Sequence, residues 1–431
     1  MDDVNFPIQC LSLVYSKFGV PCILRTPACT ELGSRKNLGP FSGSQVKYIG
    51  VDIKTSRAKV NPRSKAPSAT PEQKRGSQTA VVDLENLPET YKQHSASEVF
   101  LGLEEEFFAI ELGHTVPTLQ SMDYLRRIWW TNPRQYLAST ASNFAKGKDR
   151  KKCFMGSIEI STGKHESPKA LIADLIERRT TFAAAARTAL IVPIGSLAGH
   201  ECPSNTASSH IHVGVSPDSR DRVYSNLAYF LPLLAIASAC SPTMHPQPTC
   251  LSNRLAYASL LGGLKEDREY RFQDIILSKR LGTIEMRVFD PIPELDRLEV
   301  ILTLVQEIAK YPGTFEFNRE EYNSNRQNWA VNGLDAGLEK KLTELREIVD
   351  VDRHWIDKPL GPRLQETYSN SSIAEMYAEL DSIWRAPTGI RSSPKGYSQL
   401  AALKGIAGYY VPRMPFILYK GYLEWYGKLP K

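Results

Sequence analysis

Four short stretches of the chain alternate apolar and ionisable residues with a period of two. A strand sends successive side chains to opposite faces. TIEMRVFD (283–290) therefore groups Thr283, Glu285, Arg287 and Phe289 on one face, and Ile284, Met286 and Val288 on the other. GLEEEFFAIE (102–111) sets Glu104 and Glu106 against Leu103, Glu105 and Phe107. GSIEIST (156–162) sets Ser157, Glu159 and Ser161 against Ile158 and Ile160, and SSHIHVGV (208–215) sets His210 and His212 against Ile211, Val213 and Val215. QVKYIGVD (46–53) reads as a further strand. Other segments carry helical spacing. SPKALIADLIERRTTFAAAARTAL (167–190) opens with Ser167 as N-cap and Pro168 at the first helical position. Leu171, Leu175 and Phe182 then recur along one stripe. Val223, Leu227, Phe230 and Leu234 mark a second helix, and Leu338, Leu342 and Leu345 a third over 335–349. The longest apolar run, LAYFLPLLAIASAC (227–240), is short of a membrane span and contains Pro232, so it predicts a buried helix.

The chain's 431 residues are enough for two or three packing units. Residues 54–75 hold seven Lys/Arg and one Glu, 7 − 1 = +6, which is the whole formal net charge. This Pro/Ser/Lys-rich run reads as a solvated linker, with a phosphate or partner contact as the alternative. The remainder is charge-balanced, so neither nucleic acid nor membrane is an expected partner. The seven cysteines are odd in number and form no CxxC pair, which indicates neither a disulfide framework nor a zinc knuckle. The first residues lack the charged start of a signal peptide, and the expected location is cytoplasmic. The expected organisation is an N-terminal extension (1–95) with a basic linker over 54–76, a catalytic domain (96–385) and an aromatic, basic tail (386–431). The tail suits a packed segment, an oligomer contact or a surface-binding peptide.

On any one strand, a solvated face of Glu residues paired with Lys explains the alternation. Across the four strands, however, the faces gather four Glu, two His and one Arg. Carboxylates brought together repel and raise one another's pKa unless a positive charge neutralises them. An oxygen-rich donor set with imidazole suits Mg²⁺ or Mn²⁺ better than Zn²⁺. Arg287 beside Glu285 then suits a phosphoryl group, which its planar fork can bind at two points.

The ordered set GLEEEF (102–107), IEIST (158–162), HIHVGV (210–215), ASACSP (237–242), LGTIEMRVFDP (281–291) and NWAVNGLDAGL (328–338) resembles the type 2 glutamate–cysteine ligase family. These are carboxylate–amine ligases of the glutamine-synthetase-like superfamily. The resemblance runs from about Val99 to the 380s. It implies an α+β fold in which a curved antiparallel β-sheet forms a funnel backed by helices. Matched by motif, Glu104, Glu106, Glu159, His210 and Glu285 resemble metal ligands. His212 resembles the position facing the transferred phosphate or the acid substrate, and Arg287 the phosphate-contacting Arg. Arg254, in SNRLAYAS, and the retained Arg280 are the matching substrate-binding candidates. The family's Arg in a DxR context is replaced by Ile276 in DIILSKR, a departure that bears on the acid substrate more than on phosphate chemistry.

The activity implied is ATP- and Mg²⁺- or Mn²⁺-dependent amide formation through an acyl phosphate. Its partners would be a small carboxylate such as glutamate and an amine such as cysteine, and a homo-oligomer is expected. A phosphotransferase that stops at the phosphorylated intermediate is one alternative. A non-catalytic metal- or nucleotide-binding module is another.

Overall fold

The structure is a computed structural model. It describes residues 12–16 and 20–24 by their backbone, and residues 98–419 apart from 137–138, 201, 243–250, 259–261, 280 and 416–417. The expected strand at 46–53, the basic linker and Arg280 lie outside the described residues. Strands β1 (Ser12–Ser16) and β2 (Val20–Leu24) pair as an antiparallel hairpin.

Among the described residues a seven-stranded sheet is built from β3 (Phe100–Ile110), β4 (Thr140–Phe144), β5 (Met155–Ser161), β6 (Leu190–Val192), β7 (Ser209–Gly214), β8 (Ile275–Leu277) and β9 (Ile284–Met286). Its order is β4-β5-β3-β7-β9-β8, with β6 paired to the end of β3. Every pairing is antiparallel. The sheet curls into a half-barrel backed by helices, the α+β architecture the sequence implied. The longer helices are α1 (Ser121–Thr131), α3 (Pro168–Ala185), α4 (Arg220–Ala237), α6 (Leu295–Lys310), α7 (Arg319–Asn332), α8 (Ala336–Ile348), α10 (Leu360–Asn370), α11 (Ile373–Arg385) and α12 (Gln399–Tyr410). The short ones are α2 (Pro133–Tyr136), α5 (Asn253–Tyr257) and α9 (His354–Asp357).

The helical signals have their expected physical basis. The Ser167 hydroxyl caps α3 by accepting from the Ala170 N–H, with Pro168 at the start. Asp335 caps α8 in the same way through Leu338. Helix α4 runs through Pro232, and its residues from Asn226 onward are buried apart from Tyr229. No helix among the described residues is long and apolar enough to cross a membrane.

Helices α3 and α6 pack on the face of β3 and β7 that carries Leu101, Leu103, Phe107, Ile211 and Val213. Phe107 meets Phe182 and Trp384 at centroid distances of 4.8 and 5.1 Å. Such aromatic pairs contribute about 0.5–1.5 kcal/mol beyond the area they bury. The opposite face is open along the middle of β3 and becomes apolar at its end. There Phe108 and Ile110 pack in a second core with Val192, Ile194, Tyr377 and Leu380. This second core closes one end of the polar face. The segment after 386 is hydrogen-bonded to the body: Ser393 N–H donates to Arg187 O and Lys395 N–H to Thr188 O. Gly405 lets α12 approach α1 closely, because a Cβ there would stand 2.3 Å from the Asp123 nitrogen.

The strand expected over 283–290 is shorter than its sequence suggests. Ladder geometry covers only Ile284–Met286, and beyond it the Arg287 N–H donates to the Asp274 carbonyl at 2.7 Å. The residues from Arg287 to Asp290 leave the sheet while remaining buried or nearly so.

Candidate active site

The register decides which ionisable residues meet. Glu106 lies opposite Glu159, Glu104 opposite both Ser161 and His210, and His212 opposite both Gly102 and Glu285. Facing positions in an antiparallel pair share a side of the sheet. Glu104, Glu106, Glu159, His210, His212 and Glu285 thus come from β3, β5, β7 and β9 onto one face. Ile276 also pairs with Glu285. Ile276, buried and apolar, therefore sits beside the site.

Within this set the groups differ in what is left to bind. His210 is occupied on both ring nitrogens: Nε2 lies 2.7 Å from Ser208 Oγ, and Nδ1 3.1 Å from Glu104 Oε2. Glu106 accepts from Asn143 Nδ2 at 3.0 Å and from the Ser208 hydroxyl at 2.8 Å. His212 has Nδ1 3.2 Å from Thr283 Oγ1, while its buried Nε2 makes no hydrogen bond and stands 3.5 Å from Glu104 Oε1. One ligating atom each from Glu104, His212 and Glu285 lie within 4.8 Å of one another. The unpartnered nitrogen and two convergent carboxylates fit a divalent cation of the Mg²⁺ or Mn²⁺ type.

Charge explains the rest of the arrangement. Burial works to raise the Glu104 carboxyl, but the hydrogen bond from His210 and the nearby charge of both histidines outweigh it and hold it well below the ordinary range. Glu285 is likewise opposed by burial, and Arg287 with the two histidines brings it down to about 2. Arg287 Nη1 donates directly to Glu285 Oε1. Glu159 is driven the other way: burial first, then Glu104 and Glu106, push it well above the ordinary range. A group of carboxylates with one member forced toward its neutral form is short of positive charge.

Two cations that the sequence pattern did not reveal adjoin this face. Lys146 follows β4 and Arg271 precedes β8, and both approach the Phe272 ring, at 5.6 and 5.2 Å from its centroid. Burial, Arg271 and Arg287 all lower the Lys146 ammonium, while Glu106 opposes them. Burial and Arg287 lower Arg271, against Glu285 and Glu159. Both residues lie in polar loops without periodicity, where no sequence signal marks them. Ser208 did carry a signal, standing two residues before His210 on the same strand face.

Glu105, between the two outward glutamates, is fully buried on the helix-facing side. Arg179 Nε donates to it at 3.1 Å, Arg179 Nη2 also donates to it, and Trp384 Nε1 does so at 3.2 Å. Arg254 is only 2% exposed, donates to the carbonyls of Val288 and Arg287, and is not among the residues lining the adjoining cavity.

That cavity holds about 810 Å³ and has Glu104, Glu159 and His212 at its polar end. It continues along Gly102, Gly163, Gly214 and Thr283 to Phe100, where the Lys164 ammonium stands 3.2 Å from the ring centroid. Its size falls within the roughly 300–1,000 Å³ usual for small-molecule and cofactor sites.

No family model and no curated protein matches the chain. Among solved structures, it is similar to a bifunctional glutathione synthetase from Pasteurella multocida at 13% identity and a TM-score of 0.48, covering 67% of this chain and 52% of that one. The chain thus spans about half the length of that protein. It is similar to a glutamate–cysteine ligase from Francisella tularensis in complex with AMP at 10% identity and a TM-score of 0.48, covering 75% and 95%. It is also similar to the ligase PafA in complex with the ubiquitin-like protein Pup, at 12% identity and a TM-score of 0.35, covering 77% and 70%. At these identities and scores the likeness is one of outline.

Proposed function

We propose that this chain is an ATP-dependent carboxylate–amine ligase that forms an amide bond through an acyl phosphate. The observation that carries the reading is the convergence of Glu104, His212 and Glu285 on one sheet face, beside both Arg287 and a cavity large enough for a small ligand. Glu104, His212 and Glu285 would hold Mg²⁺ or Mn²⁺, with Glu106, Glu159 and His210 bordering them. A bound divalent cation supplies charge neutralisation at phosphate oxygens. His210 is then a positioning group whose two hydrogen bonds orient Glu104 and Ser208.

A carboxylate is a poor acylating agent because oxide would have to leave. Transfer of the terminal phosphoryl group of ATP to the carboxylate breaks the bond to ADP and makes phosphate the leaving group, which an amine then displaces. Arg287 provides a fixed planar donor for the transferred phosphoryl group. Lys146 and Arg271 offer further positive charge to the acid substrate, in place of the cation absent at Ile276. Glutamate as acid and an amino acid such as cysteine as amine are the substrate pair of choice, with the protein acting in the cytoplasm as a homo-oligomer.

The experiment is ADP formation from ATP and Mg²⁺ with pooled amino acids, followed by resolution of the pool and hydroxylamine trapping. The expected result is amino-acid-dependent ADP release and, with hydroxylamine replacing the amine, a hydroxamate of the acid. ADP release without either hydroxamate or amide overturns the ligase reading, as does the absence of ADP release with every acid and amine supplied.

A further inference from the structure

Arg287 stands one residue beyond the last ladder residue of β9, so the sheet does not by itself fix its peptide units. The backbone carbonyl of Asp274 and the guanidinium of Arg254 do. On one side the Arg287 N–H donates to the Asp274 carbonyl at 2.7 Å. The Asp274 carboxylate is in turn held by the Tyr322 hydroxyl at 2.8 Å and by Arg326 Nε at 2.5 Å, both from α7. On the other side the Arg254 fork spans two successive carbonyls, with Nη2 donating to Arg287 O at 2.8 Å and Nη1 to Val288 O at 2.5 Å. Arg254 Nη1 also lies 4.0 Å from Asp290 Oδ1. Asp290 accepts from Cys240 N–H and from the Ser241 hydroxyl. The Arg254 N–H and the Ser252 cap hold α5 in register with the same turn.

We infer that Arg254 is a positioning residue that fixes the direction of the Arg287 guanidinium through the backbone, and does not contact the acid substrate. The inference rests on the ligase reading for the role of Arg287. A guanidinium can bridge two carbonyls that point the same way; an ammonium meets one of them as a point charge. Loosening the Arg287–Val288 peptide turns the side chain that follows from it. A displacement of about 1 Å at a preorganised group costs on the order of 10²-fold in rate.

The test is Arg254→Lys, which keeps a cation near the buried Asp290 and removes the bridge. ADP formation is followed with ATP, Mg²⁺, L-glutamate and L-cysteine, or with the acid–amine pair that the unaltered protein turns over. The expected result is a fall in kcat of roughly 10²-fold per folded molecule with KM for the acid unchanged. In a background that already carries Arg287→Lys, the same change should have little further effect, because both changes then act on one lost interaction. A raised KM for the acid at intact kcat would make Arg254 a substrate contact and overturn the inference. Intact kcat per folded molecule with lowered thermal stability would make it merely structural and overturn it equally. If the unaltered protein turns over no acid–amine pair, it is the ligase reading that fails. The positioning claim is then read from a crystal structure of Arg254→Lys, where it requires Arg287 to leave Glu285 and is overturned if Arg287 stays. Should Arg254→Lys not fold, Arg326→Lys loosens the Asp274 side of the same bracket and is read by the same measurements.

Discussion

Glu104 and Glu105 are neighbours in GLEEEF, yet replacing each with glutamine should produce opposite phenotypes. The Glu105 carboxylate has no exposed surface, and its partner Arg179 has none either. Glu105→Gln keeps one acceptor oxygen but turns an amide NH₂ toward guanidinium donors, leaving Arg179 as an uncompensated buried charge. Arg179 also donates to the carbonyls of Pro293 and Ile292, so it cannot swing out to water without breaking those bonds. Removing one partner of a buried pair costs about 3–5 kcal/mol. At about 2.1 cal/mol/K per residue over roughly 300 residues, each kcal/mol shifts the midpoint by roughly 1.6 °C, so Tm should fall by roughly 5–8 °C. Glu104→Gln keeps an acceptor oxygen for His210 at a position 23% exposed, so it should destabilise the protein less than Glu105→Gln does. It should instead weaken Mn²⁺ binding, measured by calorimetry or by the loss of the free-ion resonance signal. Thermal unfolding followed by circular dichroism completes the comparison. Unchanged unfolding of Glu105→Gln, or equal destabilisation by both substitutions, would refute the division of the strand into a structural and a chemical face.

Two further outcomes are expected. Glu285→Gln should lower turnover in a way that added Mg²⁺ or Mn²⁺ partly restores, whereas Arg287→Lys should lower it by roughly 10²–10³-fold with unaltered metal dependence; rescue of both by metal would reverse the assignment. Asp174 is opposed by burial but held below its ordinary value of 3.8 by Arg178, the Gly163 N–H and His165. Its contribution to stability is therefore present above 3.8 and is lost as pH falls through the lower folded value. Asp174→Asn should unfold at lower urea than the unaltered protein at pH 7 and converge with it once the pH has fallen below the lowered folded value; a gap that persists in strong acid would contradict this.

The sequence alone determined which side chains share a face, because a strand's period of two is a local property of the backbone. That placed Glu104 and Glu106 together, His210 and His212 together, and Glu285 with Arg287, before any pairing was known. The helix start at Ser167 was legible for the same reason, since a cap and the N–H groups it satisfies lie within one turn. The meeting of the four strands was decided by tertiary structure. Antiparallel register joins residues 106 and 159, or 212 and 285, that no local pattern relates. Tertiary contacts also left His212, and not His210, with a buried nitrogen free, because Ser208 and Glu104 close on His210 from two strands. The same holds for Glu105, whose meaning depends on an arginine 74 positions away, and for Lys146 and Arg271, which reach the site from aperiodic loops. Periodicity fixes the direction in which a side chain leaves the backbone; the partner it finds there is set by the non-local packing of the whole sheet and its helices.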